Sequence, residues 1–159
     1  MKQVSKSIFL IFTLLISITT ISTPPSLQAA SSKPVAKTSP PPAEISILGF
    51  FDPAFKYLDQ GDSNTLDKGN ETAEIDVSTI AKQTVASIGV NIYLEKWTGS
   101  EWVQIGSTSV SASKKIIMSG YAIFGITTGY YYRARTVHWV SHNGVYEQGE
   151  RYTNTILAR

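Results

Sequence analysis

Ile88-Gly89-Val90-Asn91-Ile92-Tyr93-Leu94-Glu95 is the stretch that decides the fold. Aliphatic residues at 88, 90, 92 and 94 alternate with Gly, Asn, Tyr and Glu, and a period of two is what a pleated strand with one buried face produces. A helix would need apolar residues at every third or fourth position, and nothing from Ile45 onward sustains that spacing. Working outward, β-rich runs occupy residues 45–51, 73–80, 102–110, 115–124, 130–142 and 145–158. With residues 88–97 they make seven strands. Two turns between them carry their own chemistry. Thr98-Gly99-Ser100-Glu101 joins runs flanked by Trp97 and Trp102, and Asn143-Gly144 supplies the two positive-φ positions of a type I′ hairpin. Gly149 predicts a bulge or break in the last run. Seven short strands with turns between them predict an all-β, antiparallel two-layer sandwich, with an open barrel as the alternative.

The chain of 159 residues has room for one domain. Its N-terminus reads as an export signal. Lys2 and Lys6 precede a 14-residue apolar run at residues 8–21, after which come Pro24, Pro25 and the small residues Ala29-Ala30-Ser31. The run is shorter than the roughly 20 residues that span a bilayer, so no permanent membrane anchor is expected after cleavage at about residue 30. Residues 31–44 hold Pro34, Pro40, Pro41 and Pro42 among small polar residues and read as a disordered leader, a spacer before a single domain at 45–159.

Without the two signal lysines the formal charge of +2 disappears, leaving twelve basic and twelve acidic residues. A neutral chain with no basic run argues against nucleic acid as a partner. Cysteine is absent, which excludes disulfides, thiolate nucleophiles and cysteine-bound zinc together. An exported domain without disulfides fits a Gram-positive source.

Residues Ile126 to Arg135, ITTGYYYRAR, resemble the start of the sixth strand of fibronectin type III-like sandwiches. There an aliphatic residue stands six positions before a tyrosine whose hydroxyl ties a corner to nearby backbone. The resemblance gives those places to Ile126 and Tyr132, turns Tyr132, Ala134, Thr136 and His138 inward or toward the sheet edge, and leaves Tyr131, Arg133, Arg135, Val137 and Trp139 outside. From about Tyr57 to Ala158 the chain also resembles a family of small secreted proteins of Gram-positive bacteria with no assigned function. That likeness rests on Tyr57-Leu58-x-x-Gly61, Leu94-Glu95-Lys96-Trp97 followed by Trp102, and Gly129-Tyr130-Tyr131-Tyr132-Arg133-Ala134-Arg135 with Asn143-Gly144 downstream. It brings no catalytic or binding residue.

The inventory for catalysis is thin. His138 and His142 flank a turn, where a spacing of four does not bring two rings to one metal, and a surface or sheet-edge role is expected for them. Ser111-Ala112-Ser113-Lys114 matches Ser-x-x-Lys, but the companion Ser-Asp-Asn and Lys-Thr-Gly motifs are missing. Residues 59–67 gather Asp59, Asp62, Asn64 and Asp67 in what reads as a loop without the spacing of a calcium site. Asn70-Glu71-Thr72 is a glycosylation sequon, relevant only in a eukaryotic host. No cofactor or metal is implied.

The aromatic content is the most suggestive feature, with 15 Phe, Trp and Tyr residues outside the signal. Strand alternation puts Tyr93, Glu95 and Trp97 outside on one strand and Tyr131, Arg133, Arg135 and Trp139 outside on another, and if the two strands are neighbours, as the type III resemblance implies, these residues share one outer face. Such a face is either a cross-strand ladder that stabilises the sheet or a contact surface for an extracellular protein or glycan. A non-catalytic extracellular binding module is therefore the expected function. The alternatives are a small hydrolase using carboxylates such as Glu74, Asp76 or Glu95, and a matrix protein that self-associates through a sheet edge.

Overall fold

The computed structural model describes residues 35–43 and 49–159. The expected export signal and most of the expected first strand lie outside them. Every regular element among the described residues is a strand: β1 Leu58–Gly69, β2 Thr72–Trp97, β3 Trp102–Gly125, β4 Tyr131–His142, β5 Val145–Tyr152 and β6 Ile156–Leu157. All pairings are antiparallel and belong to one six-stranded sheet.

The six strands are not the expected set: neighbouring runs fuse in two places, β1 is additional, and the run at 145–158 divides into β5 and β6. Residues 73–80 and 88–97 are the two halves of β2, and residues 102–110 and 115–124 the two halves of β3. Each fusion crosses a corner. The ladder between β2 and β3 slips between Ile80 and Val85, with Lys82, Gln83 and Thr84 exposed, and Lys114 of β3 adopts φ 55° at the same level. Extra residues in one strand of a ribbon bend it and sharpen its twist. The first half of β2 carries β1 on the edge opposite β3, and the second half carries β4 on that same edge. The bend therefore lays one half of the sheet over the other, giving two layers with the open outline of a half-barrel.

The interior between the layers follows the period-two pattern. Ile88, Val90, Ile92 and Leu94 are at most 1% exposed and pack with Leu58, Ile75, Val77, Met118, Tyr132, Ala134 and Val140 in one cluster. Burial of each large aliphatic side chain contributes about 1.5–3 kcal/mol. The tyrosine corner forms as expected, since Thr127 N–H donates to Tyr132 Oη at 2.9 Å. Both expected hairpins also form. Trp97 pairs with Trp102 around Gly99 at φ 107°, and His142 pairs with Val145 around Asn143 and Gly144 at φ 49° and 76°.

Strand β1 corrects the expectation of a loop at residues 59–67. Beyond the buried Leu58 its inward positions are Gly61, Ser63 and Thr65 rather than aliphatic residues, so no apolar alternation marks it. The hydroxyls are satisfied inside instead: Ser63 Oγ lies 3.0 Å from Thr136 Oγ1, and Thr65 Oγ1 lies 2.7 Å from Thr153 Oγ1. Its hairpin to β2 turns on Asn70 and Glu71, both at positive φ, which puts the sequon at a hairpin tip. Gly149 does not break β5. It pairs with His138 inside a continuous strand, and its hydrogen makes room for the Phe51 ring, which a Cβ there would meet at 2.2 Å.

Candidate functional site

The outer face of β2, β4 and β5 gathers the residues singled out from the sequence. Tyr93 stands opposite Arg135 and Glu95 opposite Arg133, so β2 and β4 are neighbours as the alternation required. Arg133 Nε donates to Glu95 Oε2 at 2.8 Å, and Arg135 Nε lies 3.6 Å from the other carboxylate oxygen. Arg135 also donates from Nη1 to Glu150 Oε2 at 3.0 Å. The guanidinium planes lie on rings: Arg133 is 4.4 Å from the Trp102 centroid and 4.3 Å from that of Tyr152, and Arg135 is 4.3 Å from that of Tyr93. Burial alone would lower the Arg135 pKa, but Glu150, Tyr152 and Glu95 hold it above its ordinary value. Burial and the neighbouring Glu150 raise the Tyr152 phenol.

Three members of this stack were not singled out from the sequence. Trp102 comes across the hairpin from Trp97, while Glu150 and Tyr152 come from β5, whose even-numbered residues share the face of the odd-numbered residues of β4. Only the pairing register shows that change of parity. Trp139 lies at the far end, stacked on Tyr146 with centroids 6.1 Å apart. It lies across Gly89, where a Cβ would meet its ring at 2.5 Å. A glycine beneath a cross-strand aromatic ring is a pairing that sheets use to keep the ring flat.

Two expectations for this face change. Trp97 is 7% exposed rather than open, because the segment at residues 35–43 runs over it. Its indole N–H donates to the Ser39 carbonyl at 3.0 Å, and Lys37 N–H donates to the Gly129 carbonyl at 2.7 Å. This part of the Pro-rich leader has no regular secondary structure, bends at Lys37 and Thr38, and is laid against the domain. Tyr131 sits at the same end, beside Pro40, Pro41 and Pro42 at the margin of a recess of about 630 Å³.

The remaining candidates separate. His138 is not at the surface or sheet edge. It is fully buried, with Nδ1 2.8 Å from Thr79 Oγ1 and Nε2 3.1 Å from Thr136 Oγ1. Burial, with the Arg151 charge, lowers its pKa from 6.5 to about 4. His142 instead accepts the Ala86 N–H and meets the Tyr57 ring edge-on. Ser111 and Lys114 lie exposed along β3. Glu74 pairs with Lys68, and Glu95 is held by its arginines. Asp76 faces Asn64 and lines a recess of about 260 Å³ with Asp62, Arg151 and Tyr152. Asp62 and Asp76 are diagonal neighbours on one face of the β1–β2 pair, a placement that sets Cβ atoms roughly 7 Å apart.

The comparisons with known proteins add little. No family model and no curated protein matches the chain. Among solved structures, the solution structure of CsgH from R. palustris is 13% identical, with 57% of this chain and 90% of that chain covered at a TM-score of 0.33. That likeness carries no weight for fold or function.

Proposed function

We propose that the chain is an exported, non-catalytic binding module, and that its contact surface is the outer face of β2, β4 and β5. The observation that carries this is the contrast between rigid support and open rings. Tyr152 and Tyr146 are 41% and 56% exposed, yet each is backed by a partner already fixed, Arg133 held by Glu95 in one case and Trp139 over Gly89 in the other. Rings that are ordered before binding lose little side-chain entropy on contact, which is why Tyr, Trp and Arg dominate interface hot spots. The local charge is balanced, with Glu95 and Glu150 against Arg133 and Arg135. An uncharged planar group, such as a sugar ring or the apolar side chains of an extracellular protein, suits such a surface. Lys2, Lys6, the apolar run at residues 8–21 and the small residues after it support export.

The test is retention of the chain on purified cell-wall glycan and on immobilised secreted proteins. Native protein should be retained, and Tyr146→Ala and Tyr152→Ala should each weaken retention at least tenfold without changing the thermal midpoint. Equal retention of the native and altered chains would reject this surface.

The recess holding Asp62 and Asp76 favours a second reading, a carboxylate hydrolase, because a pair of carboxylates at about this separation is the arrangement that glycoside hydrolysis uses. Turnover of glycan substrates that vanishes in both Asp62→Asn and Asp76→Asn would establish it.

A further inference from the structure

Two of the three long strand margins in this sheet are guarded. On β1, Phe50 bridges Gln60, Gly61 N–H donates to the Gly49 carbonyl, and the Asn154 side chain bonds both backbone groups of Thr65. The shorter β5 carries Glu147, Glu150 and Arg151, charges that guard its margin. The margin of β3 differs. Among the described residues β3 pairs with β2 alone along its 24 residues, so a row of its N–H and C=O groups points away from the sheet.

Native sheets guard such a margin with proline, charge or a short strand. Residues 116–124 of β3 have none of these protections. Ile116-Ile117-Met118-Ser119-Gly120-Tyr121-Ala122-Ile123-Phe124 contains no charge and no proline. Its outward side chains include Ile117, Tyr121 and Ile123, exposed at 50%, 62% and 60%.

We infer that this margin pairs with the same strand of a second copy of the chain, antiparallel about a two-fold axis at Gly120. The sequence is self-complementary in that register. Ile117 meets the partner's Ile123, the small Ser119 meets the large Tyr121, and Met118 meets Ala122. Shifting the axis by one residue toward either end sets an isoleucine against a smaller or charged residue, Gly125 and Ser119 in one direction or Lys115 in the other. Charge selects the antiparallel sense. Lys114 and Lys115 stand at one end of the segment, and Glu71 adjoins the other, where Gly125 pairs with Thr72. A parallel copy would stack lysine on lysine. An antiparallel copy separates the two Lys115 residues by about 34 Å and brings each to the end where the other copy carries Glu71. This pairing is independent of the aromatic face, which lies on other strands apart from Trp102 at the far end of β3.

The chain has no cysteine of its own, so full-length Ser119→Cys and Tyr121→Cys variants report the register directly. Mixed in equal amounts under mild oxidation, they should give a disulfide-linked dimer at least five times as abundant as either variant alone gives, because residue 119 of one copy faces residue 121 of the other. Adding Ile117→Lys and Ile123→Lys, both at exposed positions, should abolish that excess while circular dichroism remains unchanged. A mixture that cross-links no better than the separate variants overturns the proposal, as does an excess that survives the two lysines.

Discussion

Lowering the pH should weaken the fold through one side chain, His138. Burial between Thr79 and Thr136, with Arg151 nearby, holds its pKa at about 4, against 6.5 in the unfolded chain. A base with a depressed folded pKa gives stability that is complete above the unfolded value and is lost as pH falls from 6.5 toward 4, since only the unfolded chain takes up the proton in that window. At pH 5 the unfolded histidine is almost fully protonated and the folded one about a tenth so, which costs about 2 kcal/mol relative to pH 7.5. Glu147 adds little there, because it is pushed up by burial but more strongly down by the N–H groups of Leu58, Tyr57 and Lys56 and by Lys82, and titrates below its ordinary 4.5. Urea unfolding followed by tryptophan fluorescence should show the midpoint falling by about 1 M between pH 7.5 and 5, with most of that slope missing in His138→Gln. The His138 imidazole NMR signals of the native chain should show almost no titration above pH 5. A midpoint independent of pH over this range, or a His138 ring that titrates near 6.5, would refute the reasoning.

Other perturbations have equally definite outcomes. Glu147→Ala removes the acceptor for three backbone N–H groups and should destabilise the fold by about 3 kcal/mol, seen as a lower urea midpoint, with Glu147→Gln losing less. Glu95→Ala leaves Arg133 and Arg135 side by side without their shared anion; calorimetry should record a loss of about 3 kcal/mol, largely recovered when both arginines are replaced by Met. Gly89→Ala drives a methyl into the Trp139 ring and the Val110 carbonyl, which should cost about 1–3 kcal/mol and shift Trp139 fluorescence toward that of a solvated indole. Tyr132→Phe deletes the corner hydroxyl and should cost about 1 kcal/mol by thermal melting.

How far the sequence revealed this architecture varies from element to element. The strand at 88–97 and both expected hairpins were legible, because local periodicity and turn chemistry encode them; the corner at Thr127 and the inward Tyr132, Ala134 and Thr136 followed from the type III resemblance, whereas His138, expected at the surface or sheet edge, is buried. Strand β1 was not, since its inward hydroxyls find partners some 70 to 90 residues away and mimic a polar loop until those partners are in place. The fusion of runs into β2 and β3 was hidden for a related reason: the exposed polar corner at 82–84 has the composition of a connection, yet the ribbon bends through it without ending. Within the candidate surface, the Tyr93, Glu95, Arg133 and Arg135 group followed from alternation together with the neighbouring of the two strands that the type III resemblance implied. Trp102, Glu150 and Tyr152 needed the register, and the covering of Trp97 needed the path of residues 35–43, which Pro-rich composition does not specify.

The most direct test is amide chemical-shift mapping of the chain as it is titrated with solubilised cell-wall glycan or a secreted protein that it retains. The account predicts that the shifts concentrate at Tyr93, Arg135, Tyr146, Glu150 and Tyr152. Shifts confined to the Asp62 and Asp76 recess, or to the margin of β3, would contradict it.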